Sequence, residues 1–167
     1  MTEIPGIPFG RPWITDEERD AVQKVFEGHI LTHGAKCKEF ETAFATFIGG
    51  DAYCLTVSSC MSALHLAYFQ MGIGPGDEVI TTPLTFAATA NCILYMGATP
   101  AFADIDPQTM RIDPHEVERR VTSRTRGIIV THYAGQACDM DPIIEIANSR
   151  GLVVIEDACH AMGAWYK

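Results

Sequence analysis

Glu78-Val79-Ile80-Thr81-Thr82 is a short run rich in β-branched residues, and it ends in the turn-forming Thr82-Pro83-Leu84-Thr85. Residues 87–96 follow with a helical pattern that stops at Gly97, and Pro100-Ala101-Phe102-Ala103 is the next apolar run. Five residues are too few for a helix and enough for a buried strand, so the stretch predicts strand, helix, strand.

The same succession extends in both directions. Upstream, Tyr53-Cys54-Leu55-Thr56-Val57 is an apolar run, and Met61, Leu64, Tyr68 and Met71 then recur at helical spacing before Gly72. Downstream, Asp113-Pro114-His115-Glu116 opens a helix with a capping aspartate, a first-turn proline and a capping-box glutamate. Runs at 127–131 and 152–155 flank a last helix that begins at Asp141-Pro142 and closes at Gly151. Alternation of this kind predicts an α/β fold, a mostly parallel sheet with helices on both faces. Residues 1–50 read differently, as an N-terminal helical segment. Thr15 and Glu18 predict a capping box for a helix over 16–27, and Phe40, Ala43, Phe44 and Phe47 share one face of a second helix over 36–48.

Composition narrows the function. The 167 residues are enough for one domain with a sizeable core. A net charge of −9 with no Lys/Arg cluster argues against nucleic acid or an anionic membrane as partner. Met1-Thr2-Glu3-Ile4-Pro5 has neither the basic start nor the apolar run of a secretory leader, and no apolar stretch is long enough to span a bilayer. The six cysteines contain no C-x-x-C pair, which predicts reduced thiols and a cytoplasmic location.

Ligands of parallel α/β sheets bind beyond the carboxyl ends of the strands, so the residues just after each run carry the chemistry. Ser58-Ser59-Cys60-Met61-Ser62 leads into a helix, where open backbone N–H groups suit a phosphate; the alternative is that the serines simply cap the helix. Phe86 follows the second run, placed either to stack on a flat ring or to fill the core. Glu156-Asp157-Ala158-Cys159-His160 ends the last run, and carboxylates there require a cationic or hydrogen-bonding partner. A helix cap or a metal ligand are the other readings of Asp157. His115-Glu116-Val117-Glu118-Arg119 fails the zinc-helix pattern, and no His or Cys spacing in the chain supports a metal site. A phosphate cradle, a ring stacker and a carboxylate together match the needs of a phosphorylated pyridine whose ring nitrogen is kept protonated.

The chain resembles the DegT/DnrJ/StrS group of nucleotide-sugar aminotransferases. The resemblance runs through Leu31-Thr32-His33-Gly34, Val57-Ser58-Ser59 with Ala63-Leu64-His65, residues 74–83, Gly97-Ala98-Thr99-Pro100, Asp104-Ile105-Asp106, His132-Tyr133-Ala134-Gly135-Gln136 and residues 155–164. It implies the large domain of the aspartate-aminotransferase-type fold over 51–167, in incomplete form and without the C-terminal small domain. It also implies pyridoxal 5'-phosphate (PLP) as cofactor. On this resemblance Asp157 pairs with the pyridinium nitrogen, Phe86 stacks on the ring, and His160 lies toward the phenolic oxygen. Ser59, Cys60, Met61 and Ser62 hold the phosphate, with Cys60-Met61 standing where members commonly carry Gly-Thr or Ala-Thr. Thr32, His132 and Tyr133 are the residues placed toward the substrate.

The implied activity is transamination of a nucleotide-linked keto sugar, with glutamate as amino donor, in a homodimer. The Schiff-base lysine of the group lies beyond the Glu-Asp-Ala motif in a segment this sequence does not include, and Lys167 matches a preceding loop, so no catalytic residue is assigned. A PLP-dependent sugar dehydratase of the same group and an inactive or regulatory fragment are the alternatives. The group's sheet sets two later strands between its first strand and the one ending at Asp157, which predicts an unpaired edge at the Tyr53 run.

Overall fold

A computed structural model describes residues 6, 11–32 and 34–167. His33 and the Met1-to-Pro5 terminus read above for a leader lie outside the described residues. The chain divides into two compact units, one up to Thr56 and one from Val57 to Lys167.

The first unit carries helices α1 (Asp16–Phe26) and α2 (Ala35–Phe47). The predicted capping box closes α1: Thr15 accepts from the Glu17 N–H, and Glu18 accepts the Thr15 N–H at 2.6 Å. Along α2 the rings of Phe40, Phe44 and Phe47 stack in sequence at 5.7 and 6.2 Å. The strand expected at Tyr53–Val57 does not form. Tyr53 and Leu55 are exposed, and the Thr56 N–H and hydroxyl both donate to the Glu41 carboxylate, at 2.8 and 2.9 Å. A strand needs a ladder partner for such an N–H, and here a side chain has taken it.

The second unit runs α3 (Cys60–Gln70), β1 (Glu78–Thr81), α4 (Ala88–Tyr95), β2 (Thr99–Phe102), α5 (Pro114–Arg120), β3 (Thr125–Thr131), α6 (Met140–Arg150) and β4 (Val153–Asp157). All strands are parallel, in the order β2-β1-β3-β4. Side chains alternate across the sheet, so the central strands β1 and β3 each feed two cores. Val79 and Ile129 join Leu64, Tyr68, Cys92 and Ile93 from α3 and α4 on one face. Ile80, Ile128 and Val130 join Val117, Ile143 and Ala147 from α5 and α6 on the other. The two central strands are therefore buried on both faces and read as continuous apolar runs.

Gly127 in β3 is required by packing. A Cβ there would lie 2.3 Å from Met71 Cε and 3.0 Å from the Val153 carbonyl oxygen. One predicted detail fails at α5. Asp113 caps the helix by accepting the His115 N–H at 2.8 Å, but Glu116 pairs with Arg119 at 2.6 Å instead of completing a box. The N–H a box would use is already donated, from Asp113 to the Asp104 carbonyl at 3.0 Å.

Candidate functional site

Four chain segments meet at the carboxyl end of this sheet and enclose a cleft of about 510 Å3. Ser59, Cys60 and Met61 enter from the start of α3, and Thr85, Phe86, Ala88 and Thr89 from the turn after β1 and the first turn of α4. Thr131 and Tyr133 follow from the end of β3, and Asp157, Cys159 and His160 from the end of β4.

Register explains why these side chains converge. Thr131 pairs with Asp157 across β3 and β4, so both point to the α3/α4 face, while Val130 and Glu156 point to the α5/α6 face. Asp157 is buried, at 8% exposure. Its Oδ2 accepts from the Thr89 hydroxyl at 3.3 Å, and its Oδ1 accepts from the Cys159 N–H at 3.3 Å and faces the Cys60 thiol at 3.9 Å. Thr85 links the Thr89 and Thr131 hydroxyls at 3.0 and 3.1 Å. None of these partners is a cation, and among the described residues no lysine, arginine or histidine forms an ion pair with Asp157. A carboxylate buried among neutral donors is costly, and a cationic ligand in the cleft offsets that cost.

At the start of α3 the capping reading of the serines holds. Ser59 caps the helix, accepting the Ser62 N–H at 3.2 Å, and the Ser62 hydroxyl bonds those of Ser58 and Ser59 at 3.1 Å each. The cap leaves the first-turn N–H groups of Cys60 and Met61 with no acceptor inside the helix, so an anion here binds to backbone. Phe86 is 77% exposed in the cleft lining, which removes the core alternative.

His160 serves the cleft wall. Its Nδ1 accepts the Ala134 N–H at 3.4 Å, and its ring meets that of Tyr133 edge-on at 6.1 Å. Ala134 is left-handed at φ 54°, a conformation an alanine holds only when its surroundings impose it. Gly135 follows at φ 85°, where a Cβ would stand 3.0 Å from the His160 carbonyl oxygen. The short turn Tyr133–Gly135 and His160 thus support one another.

His132 sits on the opposite face and is buried, with both ring nitrogens occupied inside the protein. Nδ1 accepts the Cys138 N–H at 3.0 Å, and Nε2 contacts the Glu156 carboxylate at 2.8 Å. The Cys138 side chain and then the Glu156 carboxylate push the imidazole up to about 9, opposed by burial. The same contact with His132 draws Glu156 below the ordinary carboxylate value. The two neighbouring carboxylates are therefore solved separately, Glu156 with a histidine and Asp157 with hydroxyl, thiol and amide donors. Thr32 lies exposed in the first unit. Lys167 pairs with Asp141 beside Tyr166 and does not line the cleft.

Three lining threonines and Cys159 were not singled out in the sequence. Thr89 carried a signal, because it stands three residues after Phe86 and one helical turn carries it to the same wall. Cys159 is exposed as a residue, but partial burial of its thiol, and then Cys60 and Asp157, push that thiol up to about 12. Its Sγ, the Cys60 Sγ and an Asp157 oxygen all lie within 4.8 Å of one another. Local spacing does not reveal this trio, since Cys60 and Asp157 are 97 residues apart.

A strand-end cleft with a buried carboxylate, an exposed ring face and an open helix start defines the second unit as a ligand-binding parallel α/β fold. Residues 12–167 match the DegT/DnrJ/EryC1/StrS aminotransferase family, and the chain belongs to it. It is 48% identical over 161 residues to the spore coat polysaccharide biosynthesis protein SpsC of Bacillus subtilis, covering 96% of this chain and 41% of that protein. It is 44% identical over 168 residues to the GDP-perosamine synthase of Caulobacter vibrioides, covering 100% of this chain and 45% of that enzyme. The crystal structure of NtdA from Bacillus subtilis with bound cofactor PMP superposes with a TM-score of 0.86 at 36% identity, over 96% of this chain and 38% of that one. The chain spans less than half the length of the curated relatives it matches. No described helix is long and apolar enough to cross a membrane.

Proposed function

We propose that the second unit holds the ring and phosphate of pyridoxal 5'-phosphate, as part of an enzyme that transaminates a nucleotide-linked keto sugar with glutamate as donor. The observation that carries this reading is Asp157, a buried carboxylate with no cationic partner among the described residues, on the floor of a cleft of about 510 Å3. When bound, the cofactor supplies an electron sink. Asp157 pairs with the ring nitrogen and keeps its proton in place, and Thr89 and the Cys159 N–H hold the carboxylate in position. Phe86 offers its exposed face to the ring. The Cys60 and Met61 N–H groups, with the Ser59 and Ser62 hydroxyls beside them, receive the phosphate. His160 and Tyr133 line the same cleft wall, His160 toward the phenolic oxygen of the ring and Tyr133 toward the substrate. Thr32 is assigned to the substrate side on the family resemblance alone, as are the homodimer and the cytoplasmic location; His132, expected on the substrate side, is buried with both ring nitrogens bonded inside the protein and does not line the cleft.

Equilibrium dialysis against pyridoxamine 5'-phosphate tests the binding half, since this amine form cannot attach to surface lysines. Saturable binding of one equivalent, lost when the ligand lacks its phosphate and weakened by Phe86→Ala, is expected. Absence of saturable binding refutes it. Release of 2-oxoglutarate from glutamate, in the presence of nucleotide-linked keto sugars and a chain extended to the relatives' length, tests the reaction.

A further inference from the structure

The turn that carries Tyr133 into the cleft wall is fastened from the opposite face of the sheet. His132 does not line the cleft, yet each of its polar groups is bound to the loop over 132–138 or to the end of β4. Its backbone N–H donates to the Asp157 carbonyl at 3.1 Å, and its carbonyl accepts the Gly135 N–H at 3.2 Å. On the ring, Nδ1 accepts the Cys138 N–H at 3.0 Å and Nε2 meets Glu156 at 2.8 Å. The Cys138 N–H belongs to the same peptide unit as the Ala137 carbonyl, which accepts from Arg111 Nη1 at 2.6 Å. That peptide is held at both ends, and the Cys138 thiol adds a contact to the Thr131 carbonyl at 3.3 Å. Inside the closed loop Ala134 stays left-handed at φ 54° and gives its N–H to His160 Nδ1 at 3.4 Å. Surroundings must over-determine such an alanine for it to persist.

We infer that His132 is a positioning residue for the cleft: through Nδ1 it closes the loop over 132–138 and so sets where the Tyr133 ring and the His160 imidazole stand. Neither is touched by the His132 ring; the effect passes through the Ala137–Cys138 peptide. The role requires Nδ1 to be free of a proton, with the ring hydrogen on Nε2 toward Glu156. A proton on Nδ1 would set two N–H groups against each other, which opposes the charging that the Cys138 side chain and Glu156 favour. That the loop governs cofactor affinity rests on the reading proposed above; that His132 governs the loop does not.

Two substitutions divide the bonds of the ring. In His132→Asn the side-chain oxygen stands where Nδ1 stands and still accepts the Cys138 N–H, while Glu156 loses its partner. In His132→Gln the amide nitrogen stands where Nε2 stands and keeps Glu156, while the Cys138 N–H goes unmet. Amide hydrogen exchange, followed by NMR on the 15N-labelled 167-residue protein, should speed about fivefold or more at Cys138 and also at Ala134 in His132→Gln, and stay within about twofold of the parent in His132→Asn. Affinity for pyridoxamine 5'-phosphate should fall by a like factor in His132→Gln alone. Far-UV circular dichroism verifies that both variants are folded. Long-range 15N–1H spectra of the parent at pH 7, which need no variant, should show an unprotonated His132 Nδ1. A protonated Nδ1 in the parent overturns the inference, as does Ala134 exchange that is unchanged in folded His132→Gln or equally fast in both folded variants. A parent that binds no pyridoxamine 5'-phosphate counts against the cofactor reading, and the exchange comparison then decides the role of His132.

Discussion

Replacing Asp157 with asparagine separates a structural role from a ligand-binding one, because the two predict opposite signs. Asparagine is isosteric, and the surrounding donors suit it. Its carbonyl oxygen takes the place of Oδ1 before the Cys159 N–H, and its amide nitrogen faces the Thr89 oxygen, 3.3 Å from the present Oδ2. That oxygen accepts once the Thr89 hydroxyl turns toward Thr85, 3.0 Å away. The variant thus keeps its hydrogen bonds and sheds a buried charge that has no cationic partner among the described residues. Its ligand-free stability should equal that of the parent or exceed it by up to about 1 kcal/mol. Ligand affinity should move the other way. A hydrogen bond to a charged group contributes about 1.5–3 kcal/mol, so pyridoxamine 5'-phosphate should bind roughly 10–150-fold more weakly. Urea melts at pH 7 and equilibrium dialysis read the two quantities. A variant destabilised by more than about 1 kcal/mol that binds the ligand as tightly as the parent would refute the reasoning, and would make Asp157 a structural aspartate.

Three further outcomes follow from single contacts. Glu78, buried at the start of β1, accepts from the Thr122 hydroxyl at 2.5 Å and from Arg124 Nε at 3.0 Å, and these partners hold its carboxyl below the ordinary value of 4.5. A depressed carboxyl stabilises the fold above its unfolded value, and that stability fades as the pH falls through the folded one. Glu78→Gln should therefore cost about 1–2 kcal/mol in urea melts at pH 7, with the gap from the parent shrinking below pH 4.5. Cys159 should alkylate slowly at pH 8, read by peptide mass after iodoacetamide, and faster in Asp157→Asn, by up to about tenfold for each pKa unit its thiol falls. Gly127→Ala should lower stability by about 1–3 kcal/mol in thermal melts, because its methyl meets Met71 and the rigid Val153 carbonyl.

Much of the fold was legible in the sequence because its signals are local. Helix caps and apolar runs placed α1, α3, α6 and all four sheet strands to within a few residues. The Tyr53 run was misread for a non-local reason. An apolar run says that a strand is possible, whereas its formation depends on a ladder partner elsewhere in the chain. The capping box at Asp113 fails the same way, its N–H having gone to Asp104. In the cleft, residue types predicted the carboxylate, the ring and the helix start. They did not predict that His132 turns to the opposite face, or that Cys60 and Cys159 meet.

The register of β4 carries a liability of its own. Glu156 and Asp157 are adjacent carboxylates committed to opposite faces, one beside Val130 and the other beside Thr131. Sliding β4 by one residue along β3 would exchange them and present the longer glutamate to the cleft while its aspartate neighbour faced His132. Such a slip conserves charge and sheet hydrogen bonding, so a bulk spectroscopic signal would scarcely register it. What penalises it is reach: an added methylene at the floor pushes the carboxylate off Thr89, and a missing one at His132 opens the pair. Fidelity of strand alignment, set by the fit of two side-chain lengths, is thus a hidden requirement of the site.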